Sequence, residues 1–521
     1  MTGADGGSNL PKRQPAARSP QEANWDDRTL FIADNIHVLR GMNSESVDCI
    51  ATDPPFNAKR LFNAPLGSKA AGQRFDDRWR WDEVTDEWQD LIATDHPAIK
   101  EIIEAAAVIE GGKVDHRTGK ITTGRRQNSI AAYLAYMAPR IVEMRRVLKP
   151  TGVLFMQCNW EADSYLRLLL DAVFGRDKLI NEIAWKSHPA KGHASRRLPR
   201  NHGTIFAYGK TMRWKWNPPY EPYDLQRLQR KYTDDEFAQL SEADQKTLTD
   251  YDQFDGARRY GLGDLTNPNK NRPNLTYEFL GFTKVWRWEP DRMNAAYEAG
   301  IVVQTKPGNV PRRKKYLDEQ RGRPRDDVWL DVVLPESSDS EWTTRKPIAL
   351  YQRLIECATD PGDMVLDPFA GCATTCVAAE YLNPRRQWTA IDIDPVAERE
   401  TESRLKEAAG LFGAAVAPVR TRKTRLRRRD IPFIPDAKLR QALWARQGRK
   451  CANPYCDSEA LRAADMELDH RIPHIRGGDD DALNRIALCG NCNRRKGKKA
   501  WGLFLDEERA KLPHEVRGGK P

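Results

Sequence analysis

Met364-Val365-Leu366-Asp367-Pro368-Phe369-Ala370-Gly371-Cys372-Ala373-Thr374-Thr375-Cys376-Val377 is the stretch on which the reading of the fold turns. Apolar residues run into an acid and a proline, a turn of small residues follows, and the threonines open a helix. A strand that feeds a helix through a tight turn is the nucleotide-binding element of an open α/β sheet. The turn admits a ligand to the backbone, and the helix N-terminus presents unpaired N–H groups. Gly371 permits that approach. One such turn could equally be structural, so neighbouring segments decide. Trp388–Asp392 reads as a second strand ending in acid about twenty residues on, where a carboxylate can accept hydrogen bonds from both hydroxyls of a ribose. Asp392 could otherwise cap the next helix.

Outward from this element, apolar strands at Thr29–Asp34, Val47–Thr52, Val153–Cys158, Leu179–Trp185 and Thr204–Tyr208 alternate with helical patterns. The clearest helix starts after Ser129, a capping residue, with Ile130, Leu134, Met137, Ile141 and Leu148 at helical spacing. The alternation predicts a doubly wound, Rossmann-like α/β sheet over residues 25–413. Between residues 217 and 340 the periodicity lapses into Pro-, Tyr-, Trp- and Arg-rich sequence, which reads as an inserted recognition region. There and just before it, Trp214, Trp216, Tyr220, Trp286 and Trp288 with Arg213, Lys215 and Arg287 could meet phosphates and unstacked bases. A small core with basic rims is the alternative. Residues 1–24 have the composition of a disordered tail, 414–436 of a basic linker, 437–505 of a separate module, and 506–521 of a second tail.

A chain of 521 residues exceeds one compact domain. Lys and Arg outnumber Asp and Glu by 84 to 74, with runs near Arg196–Arg200, Arg312–Lys315, Arg420–Arg429 and Arg494–Lys499. Any one run alone is a solvated face; together they suit a polyanionic partner. No run approaches the roughly twenty apolar residues that span a bilayer, and residues 1–23 lack the apolar core of a signal peptide. A soluble, cytoplasmic protein of prokaryotic or phage context, with no membrane partner, is expected.

The third motif is Asp53-Pro54-Pro55-Phe56, at the end of the apolar strand Val47–Thr52. An aromatic ring there can stack on an extruded base, while the carboxylate and a proline carbonyl accept the two amino hydrogens. That leaves the nitrogen lone pair aimed at an activated methyl, the arrangement amine methylation needs. In these residues the chain resembles the amino-group DNA methyltransferases, whose motif reads Asp/Asn/Ser-Pro-Pro-Tyr/Phe and whose Asp form is associated with adenine N6 more than cytosine N4. The order, catalytic motif, variable region, cofactor motif, is similar to the family's β-type permutation. Ile32-Ala33-Asp34-Asn35, Arg200-Asn201-His202-Gly203-Thr204-Ile205-Phe206-Ala207-Tyr208 and Thr344-Arg345-Lys346-Pro347 extend the likeness over most of residues 25–405.

The resemblance implies transfer from S-adenosylmethionine to adenine in double-stranded DNA, with Asp53, Pro54, Pro55 and Phe56 holding the base. It assigns the cofactor to Asp34, Lys346, Asp367, Phe369, Gly371, Thr374 and Asp392. The family's second glycine is Ala373 here, a departure expected to weaken or shift cofactor binding slightly. Cytosine N4 or RNA as target are the alternatives.

Four of the nine cysteines lie in the last module as Cys451-x4-Cys456 and Cys489-x2-Cys492, the spacing of a structural zinc site that staples two turns. Between and after them stand Glu467-Leu468-Asp469-His470, Gly477-Gly478, Asn484, Asn493 and Lys496. This order resembles the HNH ββα-metal nucleases. The resemblance implies His470 as general base, Asp469 and Asn493 as ligands of Mg²⁺ or a similar ion, and Asn484 orienting the histidine loop. A module that binds DNA without cutting it is the alternative. A homodimer is the candidate assembly.

Overall fold

The computed structural model describes residues 22–58, 61–63, 74–81, 84, 96–115, 120–122, 129–187, 198–332, 345–409, 419–422, 426–430, 434–456, 458, 462–474, 478 and 482–511. The expected N-terminal tail, apart from its last three residues, and the C-terminal tail from residue 512 lie outside them, as does Thr344.

The first unit comprises residues up to Asn217 and from Asp326 onward. Its central sheet has nine strands: β1 (Thr29–Ile32), β2 (Val47–Thr52), β3 (Leu148–Cys158), β4 (Leu179–Lys186), β5 (His202–Gly209), β6 (Val328–Trp329), β7 (Met364–Asp367), β8 (Gln387–Asp392) and β9 (Arg420–Arg422). Their order is β6-β4-β5-β3-β2-β7-β8-β1-β9. All pairs are parallel except those of β5, which runs against β3 and β4. The chain builds the sheet to one side of β2 through β3 and to the other side of β7 through β8, so the order reverses between β2 and β7, where Cys49 pairs with Val365 and Ile50 with Leu366. A crevice opens at the carboxyl ends of strands at such a switch point.

Helices cover both faces: α1 (Asn35–Gly41), α2 (Pro97–Ile109), α3 (Ile130–Val147) and α4 (Asp163–Phe174), then α5 (Ile348–Ala358), α6 (Thr374–Tyr381) and α7 (Val396–Ala409). Ser129 caps α3 by accepting the Ala132 N–H at 3.3 Å, and Tyr133, Leu134, Met137 and Ile141 pack with Leu166, Leu169 and Phe174 on one side of the sheet. Leu350, Leu354, Ile355, Val377 and Trp388 fill the other. Side-chain alternation sends Ile50, Leu154 and Met156 to the first core and Cys49, Ala51, Val153 and Phe155 to the second. The doubly wound α/β expectation is met.

Two stretches differ from the sequence reading. Residues 326–329, read as insert, return to the sheet, because Trp329 buries its ring beside Trp185 and donates its indole N–H to the Asp326 carbonyl. Part of the stretch read as linker forms β9, paired with β1 from Thr29 to Phe31 and held by Arg420 and Arg422 on Asp26 at 3.1 and 2.8 Å. Residues 426–430 then lie along the end of α1: Asn24 donates to Gly41 O and Arg427 O, and Asp430 accepts the Ser44 N–H. A side chain at Gly41 would strike the Leu426 carbonyl, 2.3 Å from its Cβ position.

The second unit, Pro218–Arg325, carries a four-stranded antiparallel sheet and a hairpin, Thr276–Phe279 with Phe282–Val285. Trp286 is fully buried there among Leu265, Phe279, Met293 and Val302, with its indole N–H on Tyr277 O. It is a core residue, so of the two readings open for it, nucleic-acid contact or small core, the structure takes the second. Trp288 is only part-buried and has the Arg292 guanidinium 4.5 Å from its ring.

Candidate functional site

Asp367, at the end of β7, is the joint of the crevice. Its Oδ1 accepts from the Thr52 hydroxyl at 2.8 Å and the Phe369 N–H at 3.1 Å; its Oδ2 accepts from Thr375 at 2.6 Å. The Thr375 hydroxyl, which carries a single hydrogen, also lies 3.1 Å from Ala51 O, so the end of β2, the turn after β7 and the first turn of α6 share one buried network. Burial pushes the Asp367 carboxyl up to about 6 against the hydrogen bonds from Thr375 and Thr52. Asp367, read as a cofactor ligand, is thus placed as a brace between the two motifs.

The turn sits against β8. Gly371 N–H donates to Asp392 Oδ2 at 2.7 Å, Asp394 N–H to Oδ1 at 2.8 Å, and Ala370 N–H to Ile391 O at 3.0 Å. Burial raises the Asp392 carboxyl to about 6. Gly371 has φ +51°, and a Cβ built on it would meet nothing among the described residues closer than Phe369 O at 4.0 Å, so those residues leave open volume beside it. Ala373, where the family has glycine, holds φ +60°, a conformation that costs an alanine about 1–2 kcal/mol. Thr374 Oγ1 accepts from Arg404 at 2.9 Å. Phe369 is part-buried against the first core. Asp34 caps α1 through Ile36 N–H and pairs with the buried Arg140 at 2.9 Å, both through Oδ1. Arg140 also donates to Asn35 Oδ1, and Asn35 in turn to Pro368 O.

Asp53 stands one residue beyond β2, on the face of Cys49 and Ala51. Its Oδ2 is ion-paired with Lys346, whose ammonium also lies 5.2 Å from the centre of the Phe56 ring. The structure therefore places Lys346, read as a cofactor residue, at the Asp53-Pro54-Pro55-Phe56 motif. Asp53 Oδ1 is buried and has no hydrogen-bond partner among the described residues. Burial holds the Asp53 carboxyl above its usual range, and Lys346 pulls it back. Gln157 Oε1, on the adjoining β3, is likewise buried without a partner among those residues.

Three residues that sequence reading missed fix the loop. Tyr133 donates its hydroxyl to Pro55 O at 2.7 Å. Asp77 accepts from Asn57 N–H, Ala58 N–H and the Trp79 indole at 2.9, 2.6 and 2.9 Å. Trp79 packs on Tyr133 and Tyr136, with ring centroids 5.8 and 4.4 Å apart. Pro54 is buried, while Pro55 and Phe56 are part-exposed.

The C-terminal module is built on β10 (Met466–His470), β11 (Arg485–Cys489) and a helix, Gly490–Lys496. The two strands are antiparallel. The sulfurs of Cys451, Cys456, Cys489 and Cys492 all lie within 4.8 Å of one another, with Cys456 and Cys489 3.7 Å apart. A tetrahedral ion bound at about 2.3 Å requires sulfurs about 3.8 Å apart. The donor set therefore fits a four-thiolate metal ion.

His470 ends β10, and its Nε2 accepts from Arg485 Nη1 at 3.2 Å. Asn484 pins the following loop, accepting Ile472 N–H at 2.8 Å and donating to Ile472 O at 3.1 Å. Gly478 is required there, since a Cβ would fall 1.7 Å from Ile472 O. Asp469 Oδ2 pairs with the fully buried Lys496 at 2.8 Å, and Asn493 donates to Glu467 Oε2 at 2.6 Å. Asp469 and Asn493 thus come from facing elements, with Glu467, which the sequence reading left unassigned, beside them.

Comparison with known proteins bears on both parts. The HNH endonuclease family matches residues 451–499 and the DNA methylase family residues 47–403. Similar relatives include the type II methyltransferase M.EcaI of Enterobacter cloacae, 26% identical over 50% of this chain and 55% of that one. The type III restriction-modification Mod subunit StyLTI of Salmonella typhimurium is 25% identical over 69% and 51%. The EcoPI Mod subunit of Escherichia phage P1 is 24% identical over 73% and 59%. The chain spans between 51% and 59% of the length of these relatives. Because the methylase match runs from the first residue of β2 into α7, over more than half of the sequence, the chain belongs to the DNA methylase family of N6/N4 amino-methyltransferases.

Proposed function

We propose that the chain methylates N6 of adenine in double-stranded DNA, using S-adenosylmethionine, and that its HNH domain is a metal-dependent nuclease. The observation that carries the first part is the Thr52–Asp367–Thr375 network, which ties the end of β2, the residue before Asp53, to the strand and helix that flank the turn of Gly371. The open volume beside Gly371 and the buried carboxylate of Asp392 suit the cofactor, whose ribose hydroxyls would donate to Asp392. When bound, the cofactor supplies an electrophilic methyl carbon on a sulfonium sulfur.

The protein's own residues position the acceptor. A flipped adenine stacks on Phe56, Asp53 Oδ1 accepts one amino hydrogen and Pro54 O the other, and the lone pair is left facing the methyl. Methyl transfer would place positive charge on the amino nitrogen, which the Asp53 carboxylate would stabilise. The methylated amine would then lose its extra proton to solvent water. The aspartate at the head of the motif and the likeness to Mod subunits favour adenine. The same relatives support a restriction-modification role.

In the HNH domain, zinc suits the four thiolates as a structural staple. Asp469 and Asn493 offer the oxygen ligands a Mg²⁺-like ion prefers, such an ion would polarise the scissile phosphate, and His470 would deprotonate water. A second reading, a module that grips DNA without cutting, is favoured by Lys496, whose ammonium already compensates Asp469.

The test of the main reading is transfer of labelled methyl onto DNA followed by nucleoside analysis. N6-methyladenine is expected; N4-methylcytosine would overturn the choice of base, and unlabelled DNA the whole reading.

A further inference from the structure

We infer that Arg404 binds the α-carboxylate of the cofactor. The inference rests on the S-adenosylmethionine reading and deepens it by assigning the methionine end of that ligand. Arg404 projects from α7 onto the turn after β7 and is only 5% exposed. Its Nη1 donates to Cys372 O and to Thr374 Oγ1 and touches Cys372 Sγ at 3.3 Å. All of these acceptors are neutral, and all are served by one nitrogen.

The other side of the guanidinium is different. Nε and Nη2 are both buried and have no hydrogen-bond partner among the described residues. No carboxylate of those residues forms an ion pair with the group. Glu407 supplies only a longer-range attraction and Arg345 a repulsion. A buried cation with no carboxylate in contact is disfavoured, so such a group calls for an anion. Nε and Nη2 together make the fork that matches the two oxygens of a carboxylate. S-adenosylmethionine has one anionic group, its methionine carboxylate, while its sulfonium and amine are cationic and its adenosine neutral. The turn that Arg404 contacts, Cys372 to Thr374, directly follows Gly371, the point of open backbone approach.

The plain alternative is a brace: Arg404 would steady the turn around Ala373 at φ +60° and bind nothing. Calorimetric titration of the full chain with S-adenosylmethionine and with decarboxylated S-adenosylmethionine separates the two. For the wild type, loss of the carboxylate should weaken binding about 10–100-fold, the range of a charge-assisted hydrogen-bonded pair. Arg404→Met should weaken S-adenosylmethionine by a similar factor and leave the decarboxylated compound within about twofold, which also shows that the site is folded. Arg404→Lys, which keeps the charge but not the fork, should fall between. Equal weakening of both compounds in Arg404→Met, or a wild type indifferent to the carboxylate, would overturn the inference in favour of a brace. A wild type that binds neither compound would overturn the cofactor reading beneath it.

Discussion

Lys346 and Asp53, 293 residues apart in sequence, form an ion pair at the mouth of the crevice. Burial raises the Asp53 carboxyl and Lys346 opposes that rise. Removing the ammonium must therefore lift the Asp53 pKa further. Lys346→Met should move the acid limb of the kcat–pH profile to higher pH and lower kcat about 10–100-fold at neutral pH. Asp53→Ala should lose about 100–1000-fold or more in kcat while cofactor affinity, measured by calorimetry, stays within a few-fold. An unmoved acid limb in Lys346→Met would show that the pair has no part in the reaction.

Asp392 should make cofactor binding pH-dependent. Its carboxyl is raised by burial to about 6, so below that pH it is protonated and accepts ribose hydrogen bonds poorly. Affinity should fall as pH drops from 7.5 to 5, and Asp392→Asn should be weak and flat over the same range. For folding the sign is opposite. A raised carboxyl pKa penalises the folded state above about 6, and the penalty is relieved as pH falls toward the unfolded value. Thermal melts at pH 7.5 should accordingly show no large loss in Asp392→Asn.

Tyr133→Phe removes one hydrogen bond to the Pro55 carbonyl and nothing else that touches the crevice. Expected are a loss of about 1 kcal/mol in stability and a several-fold fall in kcat, with the cofactor dissociation constant unchanged. An unchanged kcat would mean that the loop is held by Asp77 and Trp79 alone.

Zinc should be present at one ion per chain by elemental analysis. Stripping it with a strong chelator should unfold the C-terminal module, whose buried core among the described residues is one cluster of eleven, three of them the metal-site Cys451, Cys489 and Cys492, and leave methyl transfer intact. Cys492→Ser should behave in the same way. Retained module folding after complete metal loss would refute the staple.

Nicking of supercoiled plasmid in the presence of Mg²⁺ should vanish in His470→Ala and persist in Asp53→Ala. A wild type that binds the plasmid and never nicks it would establish the gripping module instead.

The sheet was legible because its signals are local. Val47–Thr52, Val153–Cys158 and Met364–Asp367 are apolar runs stopped by Pro or turn residues, and Ser129 marks its helix by chemistry alone. The motifs at Asp53 and Gly371 were legible as short strings, and their meeting followed from strand order. What escaped was set by tertiary contact. Tyr133 reads as one more apolar position of α3, and Arg404 as a charge on a polar helix. Trp286 sits between basic residues in sequence yet is buried in space. Strand β9 is Arg-Thr-Arg, a pattern with no apolar alternation, because an edge strand needs only a neighbour's backbone and the Asp26 carboxylate. Lys346 lies beside the cofactor strand in sequence but reaches the other motif.

The carboxylate of Asp367 has a consequence for how such a gene can be rearranged. It sutures two halves of the first unit whose connection along the chain runs through the second, Pro218–Arg325, so the join is made in space and not by chain order. Cutting the chain within that connection and joining its ends would keep every bond of the suture. A message with its parts re-ordered at that point is therefore expected to encode the same suture.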